Sequence, residues 1–343
     1  MSGATRVVLL AGGRSEEHEV SIVSARCILA ATEQGALDVK PLVATREGRW
    51  LSEAESRQAL QNGRADRGGV DLGQALSRIA DADIVLPMIH GPYGEDGTLQ
   101  GMLEIAGVPY VGSGVLASAL CMDKAMSKDL LARHGLPLVP YRLVRRDKFE
   151  SAPARVVQAC ASLKPPWFVK PANLGSSLGM SKVHHREGLR AAIAHALTFD
   201  RRVVVEQSIE RAREFEVALL GNHKPEASAV GEITYGSEYY DYETKYGEGR
   251  AELHIPAPID DSLRTTLQSM AKQAFVLLDC AGLARVDFLY CPGRRQAYVS
   301  ETNTLPGFTP TSMFTRLWDH QGLSYPALIE RLVELALERV DPD

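Results

Sequence analysis

Apolar runs of strand length alternate with helix-like segments near the start of the chain, and this order limits the possible folds more than any other feature. RVVLLAGG, DVKPLVAT and ADIVLPMIHG each have the apolar character of a buried strand. The segment after the first run starts at a serine and has apolar residues at helical spacing, namely Val20, Val23 and Ile28. Strands that alternate with helices form a parallel sheet covered on both faces. We therefore predict an α/β domain of the nucleotide-fold type up to about Leu120.

The rest of the chain predicts further sheets. MDKAMSKDLLARHG indicates a helix that ends at Gly135, and Pro137 and Pro140 follow it. Beyond them, PPWFVKPANLGSSLGMSKV predicts a strand, a glycine-rich loop and a strand, and later strands flank a long loop with five tyrosines. The polar stretch 46–73 has no periodicity that predicts an element. At 343 residues the chain exceeds one ordinary core, so two or three domains are expected.

Composition argues against several classes of function. The chain has 38 Lys and Arg against 43 Asp and Glu, a net charge of −5, and no long basic run. Nucleic acid or an anionic membrane surface would require clustered basic residues, so we expect neither as a partner. Five scattered cysteines without a CxxC pair predict reduced thiols rather than disulfides or a zinc site. The N-terminal apolar run is too short for a signal peptide and no stretch reaches the ~20 apolar residues of a membrane span, so a cytoplasmic protein is expected.

Two strand ends near the C-terminus combine carboxylates with other polar groups. In ARVDFLY, Arg285 and Asp287 are two residues apart, and in ETNTLPG, Glu301 and Asn303 have the same spacing. Residues two apart on a strand point to the same face. Neighbouring strands could therefore present three oxygen donors together, and Mg²⁺ binds such carboxylates together with substrate phosphates. A structural ion pair between Arg285 and Glu301 is the alternative, and the spacing alone supports both equally.

A glycine- and serine-rich loop favours the ligand interpretation. In KPANLGSSLGMSK, Gly175 and Gly179 flank Ser176 and Ser177, so backbone N–H groups and hydroxyls can converge on an anion. Lys170 ends the preceding strand, where its ammonium can meet a phosphate. The loop is not a Walker A motif, and a loop of this composition is by itself more often a turn. Combined with the oxygen donors, it indicates a nucleoside triphosphate site.

Three other segments have both functional and structural interpretations. Glu17 lies near a predicted helix start, where it could face a positive ligand group or simply favour the helix dipole. His90 ends a strand in the loop IHGPYGEDGTLQG, where spacing alone favours a structural histidine. The segment EYYDYETKYGEG is either a mobile lid over a reaction centre or a packed surface loop. Composition does not separate these alternatives.

In their order along the chain, these stretches resemble the D-alanine–D-alanine ligases of the ATP-grasp fold. The similarity runs from AGGRSEEHEVS through HGPYGEDGTLQG, KPANLGSSLGMSK, YDYETKY and ARVDF to ETNTLPGFTPTSM. It implies a three-domain ATP-grasp fold, α/β in class with α+β character in its C-terminal part, that holds ATP between the central and C-terminal sheets. The implied domains are residues 1–121, 122–211 and 212–343, with a substrate lid loop at 233–250.

The resemblance also implies a nucleotide and metal site. The residues implied to bind ATP are Lys124, Lys170, Ser176, Ser177, Glu206, Gln207, Ile209, Glu214 and Lys245. The lysines match phosphate contacts, residues 206–209 match the strand that reads adenine, and Glu214 matches the acid that holds the ribose. The residues implied to bind two Mg²⁺ ions are Asp287, Glu301 and Asn303. Mn²⁺ is an expected substitute, and a monovalent cation is a further candidate cofactor.

The implied reaction joins two D-alanine molecules through an acyl phosphate made from ATP, as a step in peptidoglycan precursor synthesis. Glu17 matches the residue that faces the first substrate's ammonium, and His90 a histidine of the substrate loop. The resemblance implies that Arg285 and the N–H of Gly307 stabilise the oxyanion of the tetrahedral species. Ser312 and Met313 match the site that binds the carboxylate of the second substrate. Glu17, Ser176 and Tyr246 match three residues that are hydrogen-bonded to one another. A homodimer is the expected assembly.

Some features depart from the family pattern, and other functions stay open. Gln207 stands where many relatives have a lysine, and Arg211 and Arg213 make the turn before Glu214 bulkier, so the register at Glu214 is open. D-lactate as the second substrate is the nearest alternative, and another ATP-grasp ligase is a further one. A catalytically silent ATP-binding regulator is the alternative from a different class. It would be expected to lack some of the metal-site residues or Arg285, and this chain has all of them.

Overall fold

The N-terminal part contains the predicted parallel sheet. A computed structural model describes residues 4–65, 68–175, 178–235 and 251–339 of the chain. Its first sheet has the order β2-β1-β3, and both pairings are parallel. These strands are β1 (Thr5–Gly12), β2 (Leu37–Ala44) and β3 (Ile84–Pro87). Successive residues of β1 enter two different hydrophobic clusters, so both faces of the sheet are buried, as the run of apolar residues predicted.

The N-terminal part of the chain also forms helices. They are α1 (His18–Thr32), α2 (Glu53–Asn62), α3 (Leu72–Ala80), α4 (Thr98–Ala106) and α5 (Val115–Met122). Two of them lie in or next to the stretch 46–73, for which no element was predicted. Ser52 caps α2 in a capping box with Glu55, and Asp71 caps α3. The cap residues were therefore an available signal for both helices, and the helical spacing of Leu72, Ala75, Leu76 and Ile79 was a second one for α3.

The central sheet has the order β4-β7-β5-β6 and is antiparallel throughout. Its strands are β4 (Tyr141–Arg145), β5 (Trp167–Pro171), β6 (Ser181–Val183) and β7 (Arg202–Gln207). The accompanying helices are α6 (Lys124–Arg133), α7 (Arg146–Ser151), α8 (Pro153–Cys160) and α9 (Arg186–Phe199). One face of the sheet packs on α8 and α9 in a separate hydrophobic cluster.

The C-terminal sheet is also antiparallel, with the order β10-β9-β8-β11-β12. Its strands are β8 (Arg213–Gly221), β9 (Glu226–Tyr235), β10 (Ala251–His254), β11 (Gly282–Cys291) and β12 (Gln296–Asn303). Its helices are α10 (Asp261–Leu277), α11 (Met313–His320) and α12 (Tyr325–Glu338). The predicted lid was too long at its start, because residues 233–235 continue β9 and pair with β8 or β10. Its other residues, 236–250, lie outside the described part of the chain.

The N-terminal and C-terminal sheets share one core. Val7 and Ile84 of the first sheet, Leu220 of β8, and Phe314 and Leu332 of the last two helices belong to a single cluster. This packing brings the carboxyl ends of β1 and β3 close to the ends of β11 and β12. None of the helices in the described residues is both long and apolar enough to cross a membrane.

Candidate active site

Two cavities meet where the three sheets approach one another. A cavity of about 610 Å³ lies between the N-terminal and C-terminal sheets. A narrower one of about 150 Å³ lies between the central and C-terminal sheets. The residues that line both are Lys124, Gly175, Glu216, Arg285 and Glu301. A molecule in one cavity can therefore contact a molecule in the other across this shared boundary.

Strand register places three carboxylates in one row at the boundary. Asp287 of β11 pairs with Glu301 of β12 on one side and with Glu216 of β8 on the other. Asn303 lies opposite Arg285 in the same strand pair, and its amide nitrogen donates to Asp287 Oδ2 at 3.1 Å. The structure thus brings together the oxygen donors that the two-residue spacings predicted.

A β-bulge explains why β12 buries apolar residues and then presents polar ones. Val299 pairs with Phe288 and Glu301 pairs with Asp287, so Ser300 is the extra residue of β12. Ala297 and Val299 lie in the core beneath the sheet, whereas Glu301 and Asn303 line the cavity on the opposite face. One extra residue reverses the alternation of faces, and such bulges often re-aim side chains at functional sites.

Arg285 is held by the carboxylates of Asp287 and Glu216. Its guanidinium donates two hydrogen bonds of 2.7 Å to Asp287, and its Nε lies 3.1 Å from Glu216 Oε2. Burial opposes the charge, but the carboxylates of Asp287 and Glu216 outweigh it and raise the pKa of Arg285 well above its ordinary value. The ion pairs of Arg285 within 4 Å are with Asp287 and Glu216, and Glu301 adds to the raised pKa of Arg285. Glu216 was missed by the sequence analysis, although it shares a strand face with Glu214.

The chemistry of the oxygen donors fits Mg²⁺ only if a ligand contributes as well. Within the described ranges, no three His, Cys, Asp or Glu side chains form a metal-binding group. Mg²⁺ is commonly held by one or two carboxylates plus substrate phosphates, so a complete protein cage is not required. Because the Asn303 nitrogen donates to Asp287, its amide oxygen is oriented as a potential metal ligand.

A buried charge network lies behind the narrower cavity. Lys170 Nζ is 2.8 Å from Glu206 Oε2, and Lys128 Nζ is 3.0 Å from Glu206 Oε1. Burial alone would raise the pKa of Glu206, but the two ammonium groups outweigh burial and lower it to about 2. Lys124 lies nearby, with Nζ 2.6 Å from the Leu174 carbonyl and 3.9 Å from Glu301 Oε2. Lys128 was not predicted, since its position in a polar helix segment resembles a surface site.

The far end of the narrower cavity contains the residues predicted for adenine and ribose. Gln207, Ile209 and Glu214 all line it. The Gln207 N–H donates to the Pro140 carbonyl at 2.9 Å, which fixes the end of β7. Tyr235 donates its hydroxyl hydrogen to Glu214. The side chain of Glu214 thus lines the narrower cavity despite the bulky turn before it.

Acidic residues and a histidine line one part of the larger cavity. His90 Nδ1 lies 3.2 Å from the Leu305 carbonyl and 3.7 Å from Glu95 Oε1, and Ser24 Oγ lies 3.2 Å from His90 Nε2. Burial opposes protonation of His90, but the Glu95 carboxylate outweighs it and raises the pKa of His90. His90 therefore links β3 to the loop after β12 while facing the cavity. Glu17 lines the same cavity.

Helix α1 has two apolar faces rather than one. Ile22, Ala25 and Ile28 are buried in the core. Val20 and Val23, which formed part of the predicted helical pattern, instead line the larger cavity. These two valines give the larger cavity an apolar wall.

The opposite wall is the turn that leads into α11. Ser312 precedes the first residue of this helix, Met313, and the Ser312 Oγ accepts a 3.1 Å hydrogen bond from the Thr309 N–H. A Cβ at Gly307 would lie 3.3 Å from Ser312 Oγ, so the two residues are neighbours. Gly307, Ser312 and Met313 all line the larger cavity. A helix start of this kind attracts carboxylates.

Some predicted site residues lie outside the described part of the chain: Ser176, Ser177, Lys245 and Tyr246. Gly175, which precedes the two serines in the sequence, belongs to the described residues. A Cβ at Gly175 would lie 3.1 Å from Glu17 Oε2, so Gly175 lies next to this carboxylate of the larger cavity.

Both the N-terminal and the C-terminal parts of the chain match models of one protein family. The family model described as D-ala D-ala ligase N-terminus matches residues 6–113, and the one described as D-ala D-ala ligase C-terminus matches residues 130–334. A D-alanine–D-alanine ligase from Deinococcus radiodurans is 50% identical, with 97% of this chain and 98% of the relative covered. A D-alanine–D-alanine ligase from Chloroherpeton thalassium is 44% identical, with 97% and 96% covered.

Solved structures give the same picture. The VanG D-Ala:D-Ser ligase from Enterococcus faecalis matches with a TM-score of 0.83 and 32% identity, over 97% of this chain and 99% of that one. The D-alanine–D-alanine ligase from Coxiella burnetii matches with a TM-score of 0.82 and 32% identity, over 98% and 95%. The three-sheet architecture is thus that of these ligases.

Proposed function

Because this chain belongs to the D-alanine–D-alanine ligase family, we propose that the two joined cavities are the place where it carries out that family's reaction. The chain is an ATP-dependent ligase that joins two D-alanine molecules for peptidoglycan precursor synthesis. The observation that carries the assignment of the site is the row of Glu216, Asp287 and Glu301 at the boundary between the cavities. ATP would occupy the narrower cavity and the amino acids the larger one.

We propose the nucleotide contacts from the residues that line the narrower cavity and from the resemblance to the family. Gln207 and Ile209 would contact adenine, and Glu214 would accept hydrogen bonds from the ribose. Lys124 and Lys170 would contact phosphates, as would Ser176, Ser177 and Lys245. Asp287, Glu301 and Asn303 would hold two Mg²⁺ ions, with Mn²⁺ able to replace them and a monovalent cation as a further candidate. Bound metal supplies charge neutralisation at the transferring phosphoryl group.

The first chemical step makes a good leaving group. A D-alanine carboxylate oxygen attacks the γ-phosphorus of ATP, ADP leaves, and an acyl phosphate forms. Glu17 would bind the ammonium of this first D-alanine, and the apolar wall formed by Val20 and Val23 would accept its methyl group. Lys124 and Lys170 would stabilise the charge that develops on the phosphoryl oxygens.

The second step forms the peptide bond. The amine of a second D-alanine attacks the acyl carbonyl, a tetrahedral species forms, and phosphate leaves. Arg285 and the N–H of Gly307 would stabilise the oxyanion. Ser312 and the N-terminus of α11 at Met313 would bind the second carboxylate, while His90 would support the substrate loop. Tyr246, with Glu17 and Ser176, would close the site.

We propose domain boundaries after residues 121 and 211. The strands of the three sheets fall into three successive parts of the chain, 5–87, 141–207 and 213–303, which supports this division. The residues proposed for ATP come from the second and third of these domains.

We also propose a cytoplasmic location for the protein, since ATP and D-alanine would be available there.

The substrate assignment is tested by product analysis. Purified protein with ATP and Mg²⁺ is supplied with D-alanine, L-alanine, or D-alanine mixed with D-lactate or D-serine, and phosphate release and product mass are followed. D-alanyl-D-alanine should be the main product in every mixture that contains D-alanine, and L-alanine should give no product. A depsipeptide as the main product would favour the D-lactate alternative, and ATP binding without turnover would favour the regulator.

The expected homodimer has a candidate surface on two adjacent helices. Ile105 of α4 is 92% exposed, and Leu116 and Val115 of α5 are 62% and 41% exposed. Neighbouring exposed apolar side chains of this kind often mark an interface. We propose that a second copy of the chain covers this face.

Changing Ile105 to glutamate should convert a dimer into a monomer, because a charge would have to be buried in the apolar contact. Light scattering after size exclusion should give twice the 37.4 kDa chain mass for the wild type and the single mass for the variant. Val276→Glu on α10 is a matched control, since Val276 is also exposed. A dimer that survives Ile105→Glu would contradict the assignment of this face.

A further inference from the structure

Lys128 is a buried cation that lines neither cavity of the candidate site. Its side chain is only 3% exposed, and it belongs to α6. A buried lysine requires compensation, and Lys128 Nζ has two partners: it forms an ion pair with Glu206 Oε1 at 3.0 Å and donates a hydrogen bond to the Ser300 carbonyl at 3.1 Å. These partners belong to different sheets. Lys128 therefore joins the strand behind the proposed nucleotide to the bulge that aims Glu301 at the cavity.

The charge of Lys128 changes the net charge of the cluster that it forms with Glu206 and Lys170. Glu206 lies between Lys128 and Lys170, and of these three residues Lys170 and Glu206 line the narrower cavity. With both lysines and the glutamate ionised, the cluster has a net charge of +1. Without Lys128, Glu206 would neutralise Lys170 and the cluster would have no net charge. A triphosphate would then bind next to a neutral ion pair instead of a cluster with a net positive charge.

The contact with Ser300 has a separate consequence. Ser300 is the extra residue of β12, and its carbonyl accepts a hydrogen bond from Lys128. The next residue, Glu301, faces the cavity only because the bulge reverses the strand faces. A fixed Ser300 carbonyl thus limits the freedom of the Glu301 backbone.

We propose that Lys128 is a positioning residue: through Glu206 it leaves Lys170 with its charge available for the ATP phosphates, and through Ser300 it holds the bulge that presents Glu301. This inference rests on the proposed function, because it takes the narrower cavity as the ATP site. It assigns Lys128 no contact with a substrate. Its two effects can be separated by experiment, since one depends on charge and the other on a hydrogen bond.

The charge effect is tested with four variants and one probe, ATP with Mg²⁺ in the absence of D-alanine, measured by calorimetry. Lys128→Met should weaken ATP binding on the order of 10-fold or more, the size expected for one charge about 8 Å away at an effective dielectric near 20. Lys128→Met with Glu206→Gln restores the net charge of +1 and should recover most of the wild-type affinity. Glu206→Gln alone should bind ATP at least as tightly as the wild type. Lys272→Met, which removes an exposed lysine of α10, should bind like the wild type.

The double variant also tests the bulge effect. It lacks the hydrogen bond to Ser300, so its turnover at saturating ATP should stay low and the Mg²⁺ concentration for half-maximal rate should rise several-fold. A merely structural role would give no recovery of ATP affinity in the double variant, because removal of a second buried group would only add damage. Thermal unfolding of each variant shows whether measurements are made on folded protein.

The outcomes distinguish the inference from the proposed function. Lys170→Met should weaken ATP binding if the narrower cavity holds the phosphates. An effect of Lys170→Met without rescue in the double variant would overturn the charge role of Lys128 and leave the ATP site standing. A normal Mg²⁺ requirement in the double variant would overturn the bulge role. Unchanged binding in Lys170→Met would overturn the placement of ATP and the inference with it.

Discussion

Replacing Glu301 with glutamine is expected to lower turnover by at least about 100-fold while the protein stays folded. Glutamine keeps the size of the side chain but removes the negative charge, and charge stabilisation by a bound metal contributes several kcal/mol to such reactions. A loss of about 2.7 kcal/mol corresponds to 100-fold in rate. The side chain of Glu301 is 32% exposed, so its replacement should change the free energy of unfolding little.

Steady-state kinetics at several Mg²⁺ concentrations, together with thermal unfolding, checks this expectation. Glu334→Gln is the matched control, because Glu334 lies on α12 and its side chain is 62% exposed. The control should retain wild-type turnover. Wild-type turnover in Glu301→Gln at limiting Mg²⁺ would exclude Glu301 as a metal ligand.

The components of this site differ in how far the sequence could predict them. Asp287, Glu301 and Asn303 were predicted because residues two apart share a strand face, whatever the partner strand. The bulge at Ser300 was not, since it depends on the pairing between β11 and β12. Without the bulge, Glu301 would point into the same core as Val299, so the correct prediction held only because the local alternation restarts after Ser300.

Glu216 and Lys128 show a second limit. Glu216 joins the site because β8 pairs with β11 in one particular register, which no local pattern specifies. Lys128 occupies a short helix with polar neighbours, and it is buried only because two sheets close over that helix. Long-range packing therefore decides both positions. The overall architecture was easier to predict, since buried parallel strands and glycine-rich loops have local signatures.

The short helices of the N-terminal part show a third limit. The caps at Ser52 and Asp71 are visible in the sequence, and α3 also has apolar residues at helical spacing, whereas α2 buries too few apolar residues to give a periodic pattern. The end of β9 was also misplaced, because its last residues are followed directly by a tyrosine-rich segment that was assigned to the lid together with them. Element boundaries are set there by cross-strand pairing with β8 and β10.

Arg285→Met should reduce both activity and stability, and the two losses should be separable. Activity should fall by about 100- to 1,000-fold, the usual effect of removing an oxyanion donor. Stability should fall by about 3–5 kcal/mol, since removal of one partner leaves buried charges uncompensated. Here Glu216 and Asp287 would face each other without the guanidinium that now bridges them.

Adding Glu216→Gln to Arg285→Met should recover much of the stability, because it removes one of the two facing carboxylates, but it should not recover turnover. Denaturant unfolding and single-turnover kinetics measure the two quantities independently. Recovery of both would mean that Arg285 acts only by holding the row of carboxylates in place. Recovery of neither would mean that Glu216 is itself required, as a group that positions Asp287 for the metal. Stability without turnover is the result that assigns the guanidinium a direct contact with the reacting oxygen.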